Sequence, residues 1–112
     1  MLINLGDYQL QIIHKEDNYL DTIILYNDQP IGILNFIDKE EIFLRQIRIE
    51  QNFKRKGHAT KVIQAFERAY HRDISLCIAQ NSPEAVGFWR NYLESKTNAS
   101  HVRGSIYRIQ NT

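Results

Sequence analysis

The sequence is short of cysteine, proline and glycine, and of long apolar runs. It has one cysteine, two prolines and five glycines in 112 residues, and no aliphatic or aromatic run longer than the four residues of Ile23 to Tyr26. A single cysteine, Cys77, excludes an internal disulfide and gives no sign of an oxidising compartment. Sparse proline and glycine exclude collagen-like and linker character, and runs this short exclude a membrane-spanning helix. The N-terminal residues 1–7 lack the basic start and apolar stretch of a signal peptide, so a cytoplasmic protein is expected. A net charge of only +1 excludes a global field drawing the chain onto nucleic acid or an acidic membrane. What remains is an ordinary globular composition, 43% hydrophobic and 24% charged, sized for one domain over residues 1–112.

Local charge is more informative than the total. Residues 1–44 carry Lys15 and Lys39 against eight acids, whereas residues 45–61 carry six bases against Glu50 alone. A nearly neutral chain that gathers its positive charge in one short segment is suited to meet an anion there. On charge alone, a solvated basic loop explains the pattern equally well.

The first third reads as strands. Tyr8 to His14, Thr22 to Tyr26, Ile31 to Ile37 and Ile42 to Ile49 are rich in β-branched and apolar residues, parted by the turn-forming stretches 15–18, 27–30 and 38–41. From His58 to His71, Ala59, Val62, Ile63, Phe66, Ala69 and Tyr70 recur at three- and four-residue intervals, which predicts an amphipathic helix. Ile74 to Ala79 is a short apolar run suited to a central strand. Ser82-Pro83-Glu84 is a helix start, with a capping hydroxyl, a proline at the first position and an acid in the first turn. Ala85, Phe88, Trp89, Tyr92 and Leu93 form the apolar stripe of that second helix, polar residues 94–101 end it, and Ser105 to Gln110 reads as a last strand. The expected class is α/β (α+β): a mixed, mostly antiparallel twisted sheet with a central strand–helix–strand unit.

The segment carrying chemistry is residues 47–60. A strand ends, the basic loop Lys54-Arg55-Lys56 follows, and a helix begins directly after Gly57. The first amides of a helix have no intrahelical partner and lie at the positive end of its dipole. Gly57 permits close approach of the backbone, and the small Ala59 does not obstruct it. Together these make a phosphate-binding turn. It is not a P-loop, because the first glycine and the Gly-Lys-Ser/Thr ending are missing.

The stretch Lys54-Arg55-Lys56-Gly57-His58-Ala59 resembles the Q/R-x-x-G-x-G/A signature of the GNAT superfamily of acetyl-CoA-dependent N-acyltransferases, with Lys54 at the Gln/Arg position. The likeness extends over roughly residues 20–95. It takes in Pro30-Ile31-Gly32, Phe53 before the basic run, and a second helix whose Asn81, Ala85, Phe88 and Trp89 are similar to the family's N-x-x-A-x-x-F-Y element. The resemblance implies an acyl-CoA N-acyltransferase-like fold, shortened at its N-terminus, whose sheet parts between the Ile47 and Ile78 strands. It implies that amides of Lys56, Gly57, His58, Ala59 and Thr60 hold the pyrophosphate of acetyl-CoA, aided by Lys54 and Arg55. It also implies that the backbone of Ile47, Arg48 and Ile49 lies along the pantetheine and that Asn81 contacts it from the next strand. The implied reaction is direct attack by a primary amine of a small molecule or protein on the thioester.

Departures from the family pattern bear on catalysis. Phe43 and Leu76 stand where members carry a glutamate base, which leaves Glu41 as a candidate base and Glu50 as a nearby carboxylate. Phe88 or Trp89 stands where members carry a tyrosine acid, which leaves Tyr92, one turn on, as the candidate acid. The family's usual first strand and helices are missing, leaving the acceptor side open or completed by a second copy of the chain in a homodimer. His14, His58, His71 and His101 show no ligand spacing, so no metal site is expected, and Cys77 reads as a small core residue. A catalytically weak module that binds acyl-CoA or a protein partner is the alternative. A nucleic-acid-binding domain is disfavoured, because the basic patch is confined to one loop without an aromatic platform.

Overall fold

In the computed structural model, residues 1–78 and 82–111 are described. The elements in chain order are β1 (Leu2–Asn4), β2 (Tyr8–Glu16), β3 (Tyr19–Tyr26), β4 (Gln29–Ile37), β5 (Ile42–Ile49), a 3-10 turn (Gln51–Phe53), α1 (His58–Tyr70), β6 (Ile74–Cys77), α2 (Pro83–Glu94), β7 (Ala99–Arg103) and β8 (Ile106–Ile109). The strands form one sheet in the order β1-β2-β3-β4-β5-β6-β8-β7. All neighbours are antiparallel except β5 and β6, the parallel pair joined through α1. This is the mixed sheet with a strand–helix–strand unit expected from the sequence.

Two strands were not expected. β1 is three residues long, too short for an alternating pattern to show. β7 lies within a polar stretch, and its residues after Ala99 are exposed, as suits an edge strand recruited by its partner β8 and not by burial. The apolar run read as continuing to Ala79 leaves the described residues after Ile78, and Asn81 also lies outside them.

Both helices cover one face of the sheet. Phe66 of α1 meets Phe36 of β4 edge to face, their ring centroids 5.0 Å apart, and Tyr92 of α2 donates its hydroxyl hydrogen to Glu67 of α1. Leu34, Phe36, Ile42, Leu44, Val62, Phe66, Leu76 and Trp89 are fully or almost fully buried in the resulting core. α2 starts as its sequence requires, with Ser82 Oγ accepting from the Ala85 amide at 3.2 Å and Pro83 in the first turn. Among the described residues, the opposite face carries no helix. Asn35 of β4 points there, since its neighbours Leu34 and Phe36 are buried on the helix side and strand residues alternate.

Strand β5 breaks its own alternation. Ile42 and Leu44 are buried on the helix face, and so are Ile47 and Ile49, which differ from them by an odd number of residues. The register accounts for the slip: Asn35 pairs with Gln46 and Phe36 with Leu44, which leaves Arg45 as an extra residue. A bulge of this kind bends the strand and increases its twist.

Candidate active site

The bulge falls where β5 leaves β6. The parallel ladder runs Ile42–Ile74, Phe43–Ser75 and Leu44–Leu76, while β5 stays paired to β4 for five residues more, as far as Ile49. Beyond Leu44, the β6-facing edge of β5 has no ladder partner among the described residues. The Glu50 amide donates to the Ile31 carbonyl, and the Arg48 carbonyl is aimed at Gly32, so even-numbered residues here address β4. Amide and carbonyl groups of Ile47 and Ile49 therefore address the opening. Their side chains are buried in the core, which holds this edge rigid.

At the top of the opening stands the turn into α1. Gly57 caps the helix at φ 77°, and Arg55 is also left-handed at φ 63°. Among the described residues no side chain caps α1, and no acid occupies its first turn. The first helical hydrogen bond is accepted by the Gly57 carbonyl from Lys61, so the amides of His58, Ala59 and Thr60 remain to be satisfied from outside the helix. Amides converging at a left-handed turn form a concave anion site.

The predicted side chains divide by role. Lys56 lies with its Nζ 5.9 Å from the Phe53 ring centroid. Lys54, expected to add charge to the turn, is tied instead to Glu84 in the first turn of α2. That exposed carboxyl is held below the usual range, chiefly by its hydrogen bond to the Lys54 ammonium. Arg48 is exposed, and its backbone groups, expected to lie along the co-substrate, address β4 and not the opening. Ala59 and Thr60 are half-buried. His58 turns inward: its Nδ1 lies 2.8 Å from the Tyr8 hydroxyl, and its ring packs 4.9 Å from that of Tyr26. Burial, then Lys61 and Lys56, push its pKa below the ordinary imidazole value, while burial raises that of Tyr8. His58 thus anchors the turn to β2 and β3. A polar cavity of about 390 Å³ opens at the same end of the sheet, lined by Asp7, Gln9, Tyr26 and Asp28 among others. Its two carboxylates would repel a phosphate, so this cavity does not suit an anion.

The two candidate catalytic side chains are not brought together. Glu41 precedes β5 and pairs with Arg108 of β8, its Oε2 3.1 Å from Nε. The pair is electrostatic only, because Nε has no aligned hydrogen-bond partner. Glu41 is four residues short of the bulge, roughly 13 Å along the strand at ~3.3 Å per residue. Tyr92 is buried between the helices, its hydroxyl hydrogen held by Glu67, which also takes Lys96 Nζ at 2.9 Å. Burial and that bond raise the Tyr92 pKa far above the ordinary phenol value. Held in this way, Tyr92 staples α2 to α1. Glu67→Ala strands the Lys96 ammonium and the Tyr92 hydroxyl, and is expected to cost about 2–4 kcal/mol, read as a fall in the urea midpoint. An unchanged midpoint would show that the triad adds nothing to stability.

A mixed sheet parted between two parallel strands, with an anion-binding turn leading from the first into its helix, is the architecture of the acyl-CoA N-acyltransferases. The model of the acetyltransferase (GNAT) family matches residues 3–93, and the chain belongs to that family. No curated protein matches the chain. Solved structures agree on the fold. A GNAT-family protein from Bacteroides thetaiotaomicron superposes with a TM-score of 0.67 at 15% identity, covering 85% of this chain and 63% of its own. YhhK from E. coli, solved bound to coenzyme A, gives 0.65 at 12% identity over 87% of this chain and 76% of its own. The ribosomal L7/L12 alpha-N-protein acetyltransferase RimL gives 0.66 at 12% identity over 99% and 98%. The chain thus spans less than two thirds of the length of the first of these.

Proposed function

We propose that the chain is an N-acetyltransferase that moves an acetyl group from acetyl-CoA to a primary amine. The observation carrying this reading is the conjunction of two features. Among the described residues, the first turn of α1 has no side-chain cap and no acid, and it stands directly above an edge of β5 without a ladder partner. The residues fit the co-substrate: the amides of Lys56 to Thr60 with Arg55 and Lys56 would receive the pyrophosphate, and the backbone of Ile47 and Ile49 the amide-bearing arm. Acetyl-CoA, when bound, supplies a thioester whose acyl carbon an amine can attack and whose thiolate leaves. The chain contributes binding, alignment and a backbone amide at the parted strand to polarise a carbonyl oxygen. Glu41 and Tyr92, committed to Arg108 and Glu67, act in structure, and the amine's proton leaves to water through the open face.

Two measurements test the proposal. Isothermal titration is expected to show coenzyme A binding. Incubation with acetyl-CoA is expected to release free thiol only when an amine acceptor is added. Binding without acceptor-dependent thiol release would instead establish the acyl-CoA-binding module, the second reading, which the commitments of Glu41 and Tyr92 favour. No binding at all would overturn both.

A further inference from the structure

The bulge does more than part the strands. An extra residue puts two consecutive side chains, Arg45 and Gln46, on the helix-free face, because Leu44 before them and Ile47 after them are both buried on the other. Two observations place them there: Asn35 Nδ2 donates to Gln46 Oε1 at 3.4 Å, and the Arg45 guanidinium lies 5.9 Å from the ring centroid of Tyr19. Asp21 is the cross-strand partner of Asn35 and belongs to the same face. Its carboxylate takes the Tyr19 hydroxyl, which raises the pKa of that phenol. Five polar or amphipathic side chains, Tyr19, Asp21, Asn35, Arg45 and Gln46, thus meet on one open face where β5 leaves β6. Ile23 and Ile33 flank them on one side, Ile37 and Phe43 on the other.

The charges of this cluster are informative. Arg45 makes no ion pair among the described residues, and Asp21 is about two strand spacings, or ~10 Å, from Gln46 at the cleft. The same face also carries Arg48, two residues beyond Gln46 and opposite Ile33, and on β2 Glu16 opposite Tyr19 and His14 opposite Asp21, 3.7 Å from Glu16. Guanidinium groups on β5 and carboxylates on β2 and β3, set apart across β4 beside a reaction cleft, complement a ligand carrying both signs better than one carrying either. We propose that this cluster is the acceptor subsite and that it takes an amino acid with a side-chain amine. Arg45 receives the carboxylate, Asp21 receives the α-ammonium, and the side-chain amine extends over Gln46 to the parted strand. Asn35 holds Gln46 in place. This rests on the transferase reading above and adds the class of acceptor to it.

The test compares L-lysine with cadaverine, which lacks the carboxylate, and n-pentylamine, which lacks both head groups, using thiol release from acetyl-CoA. The expected order of kcat/KM is L-lysine, cadaverine, n-pentylamine. Arg45→Gln is expected to reduce the preference for L-lysine over cadaverine about tenfold, and Asp21→Asn the preference for cadaverine over n-pentylamine by a similar factor. Both effects should lie in KM, with the thermal midpoint unchanged. Absence of any preference in the unmodified protein, ratios unmoved by both substitutions, or no turnover of the three amines by protein that binds coenzyme A would each overturn the subsite. Failure to bind coenzyme A would overturn the transferase reading itself, and the subsite with it.

Discussion

Gly57→Val is expected to weaken coenzyme A binding about a hundredfold while the chain still folds. Crowding is not the reason, since a Cβ at residue 57 would meet no heavy atom within 4 Å. Conformation is. At φ 77° glycine is at ease, whereas a β-branched residue is strained by about 1–3 kcal/mol. The turn can relieve that strain by returning φ to negative values, which swings the amides of His58 and Ala59 out of convergence. Losing one or two charge-assisted hydrogen bonds, at about 1.5–3 kcal/mol each, produces a change of this size. Gly57→Ala, without the β-branch, should fall between. Titration calorimetry reads the affinities, and circular dichroism checks the fold. An affinity unaffected by valine would show that the anion binds elsewhere.

Gly32→Ala is expected to act on the fold, with a loss of about 3 kcal/mol or more. Gly32 pairs with Ile49 at the end of the β4–β5 ladder, and a Cβ there would lie 2.1 Å from the Arg48 carbonyl oxygen and 3.0 Å from the Ile49 Cα. Both are backbone atoms of a strand anchored by buried Ile47 and Ile49, so relief requires β5 to move away from β4 as a unit. Chemical denaturation should show a much lower midpoint. Any folded remainder should bind coenzyme A poorly, because the displaced segment is the edge facing the cleft. A midpoint within the range of an ordinary surface substitution would mean that the two strands are less closely apposed than described.

Much of the molecule was legible in its sequence, and for local reasons. The bounds of β5 and α1, the cap at Ser82 and the turn at Gly57 follow from residues that act on their near neighbours: alternation, helical spacing, a hydroxyl three residues from an amide, a glycine with no Cβ. The bulge also has a trace in the sequence: the apolar positions of β5 change parity between Leu44 and Ile47. The trace is faint because either half of the strand is regular when taken alone.

Other features were decided only by packing. Nothing near Tyr92 in the chain indicates that its hydroxyl meets Glu67, 25 residues away, or that Lys96 closes the same triad. Nothing near Glu41 indicates Arg108. Lys54, counted among the phosphate-facing charges, found Glu84 across the cleft mouth, 30 residues on. Strand β7 has no burial pattern of its own and exists because β8 offers it a ladder. Sequence alone determined where the backbone turns and which stripes seek the core, since those preferences are written over spans of a few residues. Tertiary structure decided which charged and hydroxyl groups remain available for chemistry, because a side chain's role depends on the partners that the sheet order and the helix crossings bring within reach.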